Sequence, residues 1–402
     1  MTKYINKCNI SIFLLLFLTS SFTVCNSFVP STITYILWIV PVAFVALKLI
    51  NMDFERNLFY VVLFLCFNRV LTTMITGENM AVCKSNLISI FVTFVILQNY
   101  DLKDILKGFT NVMKFLCVVS LVCYLISLID KNILGSINQS VLYGRKFYNL
   151  IIAVGRLDKS LSFPRNMGMF WEPGAFQTFI IFAMIIDIFM LNNQSTKTLA
   201  LYSATVFTTF STTGYIALVV IYLVIISDNK KISFKTKFGL CLLLGAAIVI
   251  IVLNQSIFFE TSYSSVFGKL FRLAESGKSA EHSEGVRLAS ITEPLKQWLK
   301  SPVWGVGRTH LMMYLLNTKS NGMATCTFVN WFAVYGTLYG VVMMIGLMKF
   351  SKSVSSKSLI KFIGIFAALM ITIISENYVD NAAVTMIPLM GYLSRMKSIG
   401  EV

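Results

Sequence analysis

The chain has 402 residues, of which 56% are apolar and only 13% charged, with a formal net charge of +16. Its apolar residues come in blocks too long for the core of a water-soluble domain, which marks a polytopic membrane protein. No Walker A loop, dinucleotide-binding fingerprint or RNA-binding motif is present, so nucleotide chemistry and nucleic-acid partners are excluded as leading readings.

The apolar blocks run, in chain order, over 10–27, 32–50, 57–75, 85–98, 110–129, 174–191, 197–211, 214–227, 237–254, 324–348, 359–375 and 380–394. They predict an all-α integral membrane fold: one bundle of about 12 transmembrane helices (11–13), with residues 1–402 as a single membrane domain. Lys3 and Lys7 ahead of the first block give it the look of a signal peptide, but the many spans that follow favour an uncleaved first helix. The cysteines lie mostly inside apolar blocks with no Cys-x-x-Cys, and read as small buried hydrophobes rather than disulfides or metal ligands.

Basic residues set the orientation. Lys103 and Lys107, the cluster from Lys230 to Lys237, and the cluster from Lys349 to Lys361 fall on one side, whereas Lys84 is alone in the short loops of the other. The positive-inside rule then places both termini in the cytoplasm of a cytoplasmic (inner) membrane protein. Residues 197–227 form the ambiguous stretch, since a single helix there would be about 45 Å long and would invert everything after it. Two short passes broken at Ser211-Thr-Thr-Gly214 keep the lysines on one side, and this reading is adopted.

Two large outward-facing loops result, residues 131–173 and 255–323, expected to carry short amphipathic helices. The first holds Lys131, Arg145, Lys146, Arg156, Lys159 and Arg165 against Asp158 and Glu172, and the second is also net basic. Long loops are exempt from the charge rule, so this basicity points to anions on the outer face, either lipid head groups or phosphorylated and acidic substrates.

The stretch FPRNMGMFWEPGAF, residues 163–176, leads into the sixth block. Pro173 suits the first position of a helix, Glu172 the helix mouth and Trp171 the interface, which leaves Arg165 and Gly168 without a task. For Glu172, helix-mouth support and a chemical role remain open. In the second loop Leu288, Ile291, Leu295 and Trp298 make one apolar stripe on a short surface helix, with Arg287 near its start and a turn at Pro302, Gly305 and Gly307. Arg69 sits within the third block near its outer end, where an arginine should face a watery cavity or a phosphate. Lys114 and Asp187 lie nearer the cytoplasmic ends and are expected to snorkel. His310 follows the glycine turn, and Gly336-x-x-x-Gly340 reads as a close helix contact.

Arg165-x-x-Gly168-x-Phe170-x-Glu172-Pro173, then Ser211-x-Thr213-Gly214, then Arg287, Trp298, Pro302 and Gly305-x-Gly307 together resemble the bacterial O-antigen and capsular polysaccharide polymerases (Wzy-type), relatives of the O-antigen ligases. The resemblance covers roughly residues 160–345. It implies attack on the anomeric carbon of an undecaprenyl-diphosphate-linked oligosaccharide donor by a hydroxyl of a second lipid-linked acceptor, outside the membrane. Diphosphate is a good leaving group, so such a site needs fixed cations, for which arginine is suited. Arg165 and Arg287 are the first candidates for diphosphate binding, with Arg156 and Arg69 behind them, and Glu172 or His310 is the candidate base. With no clustered carboxylates in sight, no metal and no cofactor is expected. The resemblance also implies a chain-length regulator protein as partner. The ligases typically carry a histidine where this chain has Thr325, which favours polymerase over ligase, and a flippase or other transporter is the non-enzymatic alternative.

Overall fold

A computed structural model of the chain describes residues 7–20, 55–142, 145–157, 164–228, 283–320, 322–356 and 358–396. The predicted blocks 32–50 and 237–254 lie outside the described residues. Before the first loop come α1 (Lys7–Ser20), α2 (Arg56–Thr76), α3 (Met80–Asn99) and α4 (Leu102–Ile137). Then follow α5 (Pro173–Ile185, extended by a π-helical turn Ile186–Met190), α6 (Thr196–Thr209) and α7 (Thr212–Asp228). The second loop contributes α8 (Ser283–Lys300) and α9 (Arg308–Leu316), and the chain closes with α10 (Thr327–Ser355), α11 (Leu359–Ile374) and α12 (Ala382–Met390).

Local chemistry fixes the helix ends. Asn79 caps α3 by accepting from the Ala81 N–H, Ser358 caps α11 through Lys361 and Asn381 caps α12 through Val384. Gly77 closes α2 in the left-handed region, and Pro173 opens α5 at the position expected of it. Among the described residues, five helices are long and apolar enough to cross a membrane: Arg56–Thr76, Met80–Asn99, Leu102–Asp130, Pro173–Met190 and Thr327–Ser355. Helix α5 is buried on every face and forms the centre of the bundle. Around it, Tyr60, Leu63 and Phe67 of α2, Val118, Val122 and Leu125 of α4, and Ile360 and Ile363 of α11 are exposed. Such an apolar perimeter is costly in water and suits lipid.

Residues 196–228 are two helices, as the lysine distribution required. The chain breaks at Phe210, which adopts φ 49°, and Ser203 Oγ then lies 2.7 Å from the Tyr222 hydroxyl, as only an antiparallel hairpin allows.

Two expectations need correction. The first loop is not helical throughout: past a kink at Asp130 a short helical stretch continues to Ile137, and then β1 (Gln139–Leu142), β2 (Arg145–Asn149) and β3 (Val154–Arg156) form an antiparallel meander, so the fold is not purely α. The alternation of Phe147 and Val154 toward Met167 and of Tyr148 toward Cys123 and Leu134 explains it, because such pairs favour a pleated, half-buried surface. Lys114 and Asp187 do not snorkel apart. They form an ion pair at 2.6 Å, with Asn193 and Tyr202 also donating to the Asp187 carboxylate. A paired charge inside a bundle costs less than two lone ones.

Candidate functional site

The stretch 164–173 is stitched to the corner between α6 and α7. The Arg165 guanidinium donates to the last carbonyls of α6, at Thr209 (3.1 Å) and Phe210 (2.9 Å). Asn166 donates through its amide to Ser120 and Thr208 and accepts from the Gly168 N–H. Gly168 adopts φ +55°, and a Cβ there would meet the Phe176 ring at 2.9 Å. That glycine lets Phe170 fold back onto Phe176 and Phe179, with ring centroids 5.6 and 4.5 Å apart. Arg165 and Gly168 therefore have the structural tasks that sequence alone did not supply. Trp171 turns the other way, lies against Tyr378 at 5.8 Å and lines a cavity of about 360 Å³.

The opposite wall is built by the second loop. Residues 302–307 insert into a break in α10 at Gly336, which has φ +85°. Val306 N–H donates to Ala333 O, Gly307 N–H to Val334 O and Thr337 N–H to Pro302 O. A Cβ at Gly336 would overlap the Val303 carbonyl, so the glycine serves close docking of a loop backbone; the helix contact expected at this motif is in fact a loop contact. Trp298 of α8 locks the same junction by donating to Thr337 Oγ1 at 3.0 Å, while Leu288, Leu295 and Leu299 of that helix stay exposed.

This docking places Arg308, the first residue of α9, at the cavity. Its Nη1 donates to Asp380 Oδ2, and Asp380 comes from the link between α11 and α12. The Asp380 carboxylate holds the Arg308 guanidinium above its ordinary pKa against the pull of burial. Asp380 Oδ1 accepts from the Tyr335 hydroxyl and from Asn86 Nδ2 (2.9 Å), and its backbone oxygen accepts from Ser89. Behind Tyr335 lies a second pair: Arg69 Nη1 is 2.7 Å from Glu78, both side chains are fully buried, and the guanidinium sits 5.1 Å from the Tyr335 ring centre. Glu78 also accepts from the Thr309 N–H (2.7 Å) and hydroxyl (3.1 Å), so it caps α9, whose own N-cap, Gly307, has no side chain to do so. Burial pushes the Glu78 carboxyl upward, but the Thr309 bond and the Arg69 charge outweigh it and hold it below the ordinary value.

The sequence candidates thus disperse. Arg69 faces the protein interior and a carboxylate. Glu172 is the exposed N-cap of α5 and makes no side-chain cap bond, and His310 is exposed on α9 outside the residues lining the cavity. Arg156 ends β3 opposite Phe147, and the side chain of Arg287 lies outside the described residues. Thr325, which stands at the position of the ligase histidine, shares a hydrogen bond of 2.7 Å with Ser290. Arg308, Asp380 and Glu78 were missed. Asp380 carried a usable signal, a carboxylate at the lip of an apolar block, which is the criterion that picked out Arg69.

Residues 198–338 match the family model described as O-antigen ligase. The resemblance read from the motifs therefore holds over the segment that contains the α6–α7 break, the 302–307 turn, Arg308 and Gly336. No curated protein matches the chain.

Proposed function

We propose that the chain is a lipid-diphosphate-dependent glycosyltransferase that polymerises undecaprenyl-diphosphate-linked repeat units at the outer face of the inner membrane. The observation that carries this reading is the position of Arg308, a residue of the family-matched segment, with its side chain 45% exposed at the cavity. Asp380 engages one nitrogen, and a guanidinium has five N–H donors, so an edge remains for a diphosphate oxygen. In the reaction, the bond between the anomeric carbon and the diphosphate oxygen breaks while an acceptor hydroxyl oxygen bonds to that carbon. The electron pair leaves with the lipid diphosphate, where a fixed cation lowers the barrier most. Arg165, Arg287 and Arg156 remain candidates for diphosphate binding, and no metal or cofactor enters the proposal.

Polymerase is preferred to ligase because Thr325 stands where the ligase histidine would be; the match to the O-antigen ligase family supports ligase as the second reading. The test is deletion of the gene in cells that make a repeat-unit polysaccharide, followed by electrophoresis of the surface glycan. A polymerase leaves a single repeat unit on the acceptor when lost. Loss of all glycan from the acceptor, with lipid-linked polymer accumulating, would establish a ligase, and single units stranded inside would establish a flippase.

A further inference from the structure

The chemistry of glycosyl transfer leaves one proton without a destination, that of the acceptor hydroxyl. Among the described residues lining the cavity there is one carboxylate and no imidazole, and that carboxylate is Asp380. Glu172 and His310 lie outside the cavity, Glu78 is fully buried against Arg69, and Thr325 is bonded to Ser290. The two Asp380 oxygens are used differently. Oδ1 is fixed on the deep side by Tyr335 and Asn86, whereas Oδ2 takes the half-exposed Arg308.

We propose that Asp380 is the general base that takes the acceptor hydroxyl's proton, and that its ion pair with Arg308 restrains it until a donor diphosphate competes for the guanidinium. This rests on the glycosyltransferase reading above. A diphosphate carries more charge than a carboxylate and fits the planar guanidinium through two parallel hydrogen bonds, so it is the stronger partner. Once Arg308 turns to it, Oδ2 is released from its hydrogen bond and open to the acceptor hydroxyl, while Tyr335 and Asn86 keep the carboxylate aimed. The acceptor O–H proton passes to Oδ2 as the oxygen bonds to the anomeric carbon and lipid diphosphate departs with the bonding pair. The proton leaves to water with the product. Donor binding thereby arms the base, which limits deprotonation to the loaded site.

The test uses the full chain in nanodiscs with lipid-diphosphate-linked repeat units, comparing wild type with Asp380→Asn. The variant is expected to bind donor at least as tightly as wild type, since the competing carboxylate is gone, while polymerisation falls about a hundredfold or more, the usual contribution of a general base. Azide carries no proton to remove, so adding it should restore donor cleavage in the variant and yield a glycosyl azide. A defect in folding alone would not respond to azide. Asp380→Ser serves in the same assay should the asparagine variant not accumulate. Polymerisation within a fewfold of wild type, or a folded variant that binds donor yet gives no azide product, would overturn the proposal. If wild type makes no polymer, the polymerase reading fails separately. The same variants are then assayed with a lipid core acceptor, where azide-rescued loss supports the base and normal transfer sinks it.

Discussion

Arg69 and Glu78 are fully buried, yet neither belongs to the cavity surface. Removing one partner of such a pair strands a charge in low dielectric, so Glu78→Ala is expected to lower stability by about 3–5 kcal/mol. The Arg69→Met/Glu78→Gln double variant, which removes both charges and keeps an acceptor for Thr309, is expected to be close to neutral, and thermal unfolding in detergent compares them. Acid gives an independent check. Because the folded-state value of Glu78 is depressed, its contribution is complete above the ordinary carboxyl value of 4.5 and is lost as pH falls through the lowered one. The melting temperature of wild type should therefore drop more steeply below that pH than that of the double variant. Arg165 and Arg308 separate at the same scale. Arg165→Ala removes two charge-assisted bonds to the end of α6 and should cost about 2 kcal/mol of stability. Arg308→Ala should leave melting nearly unchanged and shorten the surface glycan to single units.

The element that organises the surroundings of the cavity is the insertion of residues 302–307 into the break in α10. At Gly336 any side chain meets both a positive φ and the Val303 carbonyl. Gly336→Ala is expected to cost at least about 2 kcal/mol and to abolish polymer formation by displacing Arg308. Gly340→Ala meets the Phe332 ring at 2.6 Å, a side chain rather than a docked backbone, and should disturb polymer formation less than Gly336→Ala. Comparing accumulated protein with glycan length for the two variants separates a docking role from a general helix contact. The α6–α7 hairpin was legible because lysines constrain its ends, and Pro173 and Gly77 announce their boundaries through backbone chemistry. The β-meander was not, because strands of three to five residues give too short an alternation to outweigh loop composition.

For the molecule as a whole, the membrane character followed from composition, and the family resemblance from the order of short motifs along the chain. The candidate site was only half legible. Arg308 donates to a residue 72 positions away, and Glu78 accepts from one 231 positions away, while local periodicity carries no information on such pairings. Arg165 and Glu172 stood out because they broke a local pattern, and Asp380 was overlooked because it began an apolar block.

The interlock of the second loop with α10 also bears on how such a scaffold could be re-specified. A loop exchanged alone between related chains would arrive without the helix break that receives it, and the recipient helix would present side chains where a backbone must pass. Any graft between related chains should move 283–320 together with 327–340 as one cassette, since the loop backbone and the helix break that receives it are hydrogen-bonded as a pair.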